Sequence, residues 1–164
     1  MQPSVTIRRA ALLALLVSVL LLTGKLTAYF LTGSTAVLSD ALESIINVVT
    51  SAFMLFSVSV SSRPADESHP YGHGKVESFS AGLEGGLILL AAIMILLEAI
   101  PSFLEPAAPQ RLNAGIMLLA TAGGINLILG GWLVRYGRAS QSEALAADGR
   151  HLLTDFYTSA GVVL

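Results

Sequence analysis

Five apolar stretches, at about 10 to 31, 35 to 60, 76 to 104, 112 to 136 and 144 to 164, take up nearly all of this chain. Each matches the ~20 residues that an α-helix needs to cross roughly 30 Å of hydrocarbon. In lipid, every backbone N–H and C=O has to be satisfied within the protein, so such stretches become helices. The expected fold is an all-α, polytopic transmembrane helix bundle. The 12% charged and 54% hydrophobic residues, against roughly 25% charged in an ordinary soluble domain, argue against a water-soluble core. A net charge of -2 gives no basic field for nucleic acid. The chain has no cysteine, so a metal would have to be held through oxygen and imidazole.

Arg8 and Arg9 ahead of Ala10 to Leu22 have the form of a secretory signal. The apolar run continues past Lys25 to Leu31 with four more spans behind it, which argues for a retained helix. Arg8, Arg9, Arg63, Lys75, Arg135, Arg138 and Arg150 fall on one side of the alternating spans, and only Arg111 on the other. Lys and Arg favour the cytoplasmic side, so the N-terminus is expected in the cytoplasm.

Helix punctuation fits these boundaries. Thr32-Gly33-Ser34 suits a tight outer turn; Pro101, Pro106 and Pro109 separate spans three and four; Ser140 to Glu143 reads as a capping box opening span five. Span five reaches Leu164 with no glycine, basic residue or proline to end it, so the chain is expected to be C-terminally truncated. The pairs Gly85-Gly86, Gly123-Gly124 and Gly130-Gly131 suit close helix packing.

Ionisable groups cost several kcal/mol at mid-bilayer unless paired or facing a cavity, which makes those inside the spans candidates for function. Asp40, Glu43 and Asn47 share one face of span two, and Asp148, His151 and Asp155 repeat those steps of three and four on span five. At 1.5 Å rise per residue, Glu43 and Asn47 lie about 14 and 20 Å from the outer end, and His151 and Asp155 about 15 and 21 Å from the inner end of the antiparallel span. Glu43, Asn47, His151 and Asp155 can therefore converge at mid-membrane on one cation. Two carboxylates would balance its charge and four ligands would meet the valence of zinc. Asp40 and Asp148 would flank that centre as relays or as groups that orient the ligands. The alternative is that these side chains simply bond the helices together.

A second cluster lies between spans two and three. Asp66, His69 and His73 offer oxygen and imidazole to a cytoplasmic metal, and Pro70 and Gly72 would bend the loop to bring the imidazoles together. The plain alternative is a polar loop with surface histidines.

The run His69-Pro70-Tyr71-Gly72-His73-Gly74-Lys75-Val76-Glu77, preceded by Gly33 to Ser44 and followed by Ser142 to Asp155, resembles the cation diffusion facilitator family of divalent metal/proton antiporters. The resemblance runs from about Lys25 to the last residue. It implies six transmembrane helices, a cytoplasmic C-terminal metal-binding domain, a homodimer in the lipid bilayer, and export of zinc or a related ion with H+ as counter-ion. By position, it implies that Glu43, Asn47, His151 and Asp155 form the transport site and Asp66, His69 and His73 the loop site. The sixth span and the C-terminal domain are absent here. Lys25 and Asn126 match positions read as structural, with Lys25 neutralising a buried carboxylate such as Glu84. Asn47 departs from many zinc-transporting members and is reminiscent of manganese-transporting relatives, whereas His151 favours zinc, iron, cobalt or cadmium.

The expected function is thus proton-coupled efflux of a divalent transition-metal cation, zinc first, across a membrane taken to be a prokaryotic inner membrane. The alternative is a non-transporting metal sensor or scaffold. No His-Glu-x-x-His motif is present, so no enzyme is expected.

Overall fold

The computed structural model describes residues 3–33, 35–104 and 113–163. Ser34, Pro106, Pro109, Arg111 and Leu164, which entered the sequence reading, lie outside the described residues. Among the described residues five helices follow one another: α1 (Pro3–Thr32), α2 (Thr35–Ser61), α3 (Lys75–Leu104), α4 (Asn113–Ser140) and α5 (Glu143–Val163). The chain forms an all-α transmembrane bundle, as its sequence suggests. Taken singly, Thr6–Leu31 and Asp40–Ser61 are long and apolar enough to cross a membrane. Pro101 falls within the last turns of α3, so it does not end the helix, although its ring nitrogen cannot donate to the carbonyl four residues back.

The bundle pairs α1 with α2 and α4 with α5; α5 also packs on α3 and α2. Leu12, Leu16, Leu20, Ile45, Val49, Leu89, Leu90 and Ile128 face outward, while the interior holds small or polar side chains: Ala10, Ala11, Ala14, Ser18, Ser44, Asn47 and Ser51. Lipid is as apolar as leucine, so such a bundle is held by close packing and interhelical hydrogen bonds.

Two turns fix the hairpins. Gly33 takes a left-handed φ of 65° and its amide donates to Tyr29 O at 2.7 Å, closing α1. At the other corner Gln141 adopts φ 57°, and the Ser142 and Gln141 amides donate to Gly137 O and Arg138 O, a Schellman closure without glycine. Ser142 caps α5, its Oγ accepting from the Leu145 amide at 3.5 Å. The cap is therefore Ser142 and not Ser140, whose hydroxyl is spent on Tyr136 O inside α4.

Of the glycine pairs, Gly130 supports the packing role: a Cβ there would lie 2.7 Å from Gly149 O. Gly137 and Gly149 do the same from positions the sequence did not single out. A Cβ at Gly149 would meet Val134 N at 2.7 Å and Gly130 O at 2.8 Å. Backbone cannot step aside as a side chain can, so Gly149→Ala is expected to force α4 and α5 apart at a cost of about 1–3 kcal/mol. Thermal unfolding of the purified full-length protein in detergent checks this; an unchanged midpoint would show that the two backbones have room to spare.

Candidate transmembrane and loop metal sites

Side chains along the inner faces of α1, α2 and α5 form tiers, because residues three and four apart share a helix face. In the outermost tier, Lys25 of α1 donates to Asp40 Oδ1 at 2.9 Å and to Ser44 Oγ at 2.7 Å. This differs from the expected pairing of Lys25 with Glu84. Lys25 sits on a helix packed against α2, whereas Glu84 is on α3, which packs on α2 and α5. Asp40, taken as a relay, is the counter-ion of a buried lysine, with side chains only 6% and 11% exposed.

One tier further in, two stripes expected to meet do so. Asn47 Nδ2 donates to Asp155 Oδ2 at 2.6 Å, and Asn47 Oδ1 lies 3.0 Å from His151 Nε2. Amide oxygen accepts only, so Nε2 carries the shared hydrogen. In a neutral imidazole, Nδ1 then keeps its lone pair, and this buried atom has no hydrogen-bond partner among the described residues. Asn47, His151 and Asp155 are all buried. Glu43, one turn away on the same face of α2, is exposed and lies within electrostatic reach of Asp155, Asp40, Lys25 and His151. The structure therefore brings Asn47, His151 and Asp155 into contact and leaves Glu43 beside them.

The next tier contains Asp148, buried, whose Oδ1 accepts from Ser51 Oγ at 3.2 Å. Ser51 in turn meets Ser18 of α1 at 3.2 Å. At the helix ends Glu77 of the loop motif accepts from Ser61 and from Ser142, both at 2.5 Å, tying α2 and α5 to the start of α3. Ser78 donates to Glu143 at 2.6 Å beside it. The sequence reading passed over Ser18, Ser44 and Ser51, yet Ser44 and Ser51 continue the Asp40–Asn47 stripe at the same steps, and that spacing is the signal that could have found them.

The loop brings Asp66, His69 and His73 close together. Asp66, His69 and His73 present ligand atoms all within 4.8 Å of one another; His69 Nδ1 is 3.2 Å and His73 Nε2 3.5 Å from the Asp66 carboxylate, and the rings sit 4.4 Å apart. Gly72, at φ 79°, turns the chain so that its amide donates to His69 O. Glu43, His151 and Asp155 do not converge to that degree among the described residues. The His69 amide, donating to Asp66 Oδ1 at 2.7 Å, holds the Asp66 carboxyl below its usual range. A depressed value means that the contribution of the ionised form is present above the ordinary aspartate pKa near ~4 and is lost only as pH falls through the lower folded value. Asp66 thus stays anionic under any physiological acidity. Asp66→Asn is expected to lower zinc affinity of the loop at least about tenfold while the remaining binding stoichiometry persists; titration calorimetry on the full-length protein reads both, and unaltered loop affinity would remove Asp66 from the ligand set.

Comparison with known proteins places these residues in context. Residues 11–164 match the cation efflux transmembrane domain. The chain is 43% identical over 140 residues to an uncharacterized transporter of Synechocystis sp., covering 85% of this chain and 45% of that protein. It is 33% identical over 141 residues to the manganese efflux system protein MneP of Bacillus subtilis, covering 85% of this chain and 47% of MneP. It is 33% identical over 161 residues to the cation-efflux pump FieF of Cronobacter sakazakii, covering 96% of this chain and 53% of FieF. The chain spans about half the length of these curated relatives.

Proposed function

The chain belongs to the cation diffusion facilitator (cation efflux) family, and from that membership we propose that it carries a divalent transition-metal cation out of the cytoplasm in exchange for protons. Members are transporters, and the membrane bundle is the part that moves the ion. The observation that carries the reading is the bridge Asn47 makes to both Asp155 and His151 in the bundle interior. We assign Glu43, Asn47, His151 and Asp155 as the transport ligands. Glu43 and Asp155 supply two negative charges, His151 a nitrogen ligand and Asn47 a neutral oxygen. Ligands bind metal in their deprotonated forms. Loading from the cytoplasm therefore releases protons, and reprotonation on the far side expels the ion, which is antiport.

The Lys and Arg residues gathered on one side of the spans support an N-terminus in the cytoplasm, with the chain in a bacterial inner membrane. The full-length protein would add a sixth span and a C-terminal domain and act as a homodimer. Asp66, His69 and His73 would bind a further ion on the cytoplasmic side.

Zinc is the first choice of cargo, because imidazole suits zinc, iron, cobalt and cadmium better than manganese. Manganese is the second, favoured by the amide ligand Asn47 and by likeness to a protein named for manganese efflux. Full-length protein in sealed vesicles tests the coupling: an imposed pH gradient is expected to drive zinc accumulation, and a protonophore to stop it. Accumulation that continues at the same rate after the gradient is collapsed would defeat the antiport reading. Competition by manganese in the same vesicles ranks the two metals.

A further inference from the structure

The bundle buries a second acidic pair that no step above uses. Glu84 of α3 and Asp148 of α5 are each 0% exposed, on two helices packed against each other. Asp148 leans on the Ser51 hydroxyl at 3.2 and 3.5 Å. Neither oxygen of Glu84 makes a hydrogen bond of ordinary geometry among the described residues, although the Ser80 hydroxyl is close by on its own helix.

Among the described residues no buried cation serves the pair. The buried lysine, Lys25, is held by Asp40 and Ser44. From α5, Arg150 is the basic residue that reaches toward Glu84, but it is exposed and lines a pocket at the α3, α4 and α5 ends with Arg138, Gln141 and Glu143. From α2 comes Ser51, with no ionisable residue between Glu43 and Arg63. On α3 itself, Glu77 is occupied by Ser61 and Ser142.

Removing one carboxylate from water costs several kcal/mol even after relaxation, and a second beside it adds repulsion that the interior barely screens. A hydrated metal ion needs space that full burial denies. A proton needs none. We propose that Glu84 and Asp148 together hold a proton, in a site one helical turn cytoplasmic of the metal ligands and chemically distinct from them. The protonated carboxyl donates to its neighbour, which gives one Glu84 oxygen a partner and removes one of two buried charges. The proton stays while α3 lies against α5, and separation of these helices on the cytoplasmic side would wet the pair and free it. The site thus gives the bundle a place to carry a proton whether or not metal is bound.

Infrared spectroscopy of the full-length, metal-free protein at neutral pH tests the site. The proposal expects a buried-carboxyl C=O band that shifts in heavy water, disappears in Glu84→Gln and in Asp148→Asn, and persists in Asp155→Asn. Zinc titration of Glu84→Gln should change the affinity of the membrane site by less than about threefold, which separates this site from the transport ligands. Absence of the band in the wild-type protein overturns the proposal without recourse to any variant. It is equally overturned if the band keeps full strength in Glu84→Gln, or is lost in Asp155→Asn alone, since the proton would then belong elsewhere.

Discussion

Asp155→Ala is expected to abolish pH-driven zinc flux in vesicles of the full-length protein. Asp155 is buried and accepts from Asn47 at 2.6 Å, so the substitution removes a charged ligand and frees the amide that orients His151. Groups that merely support a metal ligand typically contribute 10–100-fold to affinity; a direct, charged ligand should exceed the upper end, so flux should fall by about a hundredfold or more. Asp155→Asn should fail nearly as badly, because it preserves the shape and removes the charge. The loop trio is remote from this change, so zinc binding at Asp66, His69 and His73 should survive and show that the protein is folded. Flux within about twofold of wild type would remove Asp155 from the transport path.

Lys25→Met is expected to produce the largest loss of stability. The ammonium group contacts Asp40 at 2.9 Å and Ser44 at 2.7 Å with little exposure on either side. Removing one partner of a buried pair leaves an uncompensated charge and costs about 3–5 kcal/mol, whereas replacing both with uncharged groups is often near neutral. Lys25→Met should lower the thermal midpoint in detergent sharply, and Lys25→Met with Asp40→Asn should recover most of the loss. A double variant as unstable as the single one would mean that Lys25 acts through its packing instead.

Much of this architecture is legible in the sequence because one length and one periodicity act alone. Apolar length against bilayer thickness marks the helices. Steps of three and four set Asn47 on one face and His151 and Asp155 on another, and antiparallel spans of similar length must bring those depths together. The loop trio is legible for a different reason: Pro70 and Gly72 limit the backbone between closely spaced ligands. What escapes depends on which helix neighbours which. Lys25 could serve any buried acid by depth, and only the packing of α1 on α2 selects Asp40 over Glu84. The burial of Glu84 and Asp148 on neighbouring helices likewise appears only once α3 lies on α5. Gly137 and Gly149 are single glycines, less conspicuous than the pairs, and their role appears when the backbones of α4 and α5 touch. Ser142 takes the cap from Ser140 because Gln141 turns left-handed, a conformation that nothing local in the sequence favours.

The central claim is that the transported cation sits between α2 and α5. Anomalous scattering at the zinc edge, from zinc-loaded crystals of the full-length protein, tests it most directly. The account predicts a peak bounded by Glu43, Asn47, His151 and Asp155, with the hydrogen bonds of Asn47 to Asp155 and His151 opened to admit the ion. A peak at Asp66, His69 and His73 alone, with those two hydrogen bonds intact at full zinc occupancy, would contradict it.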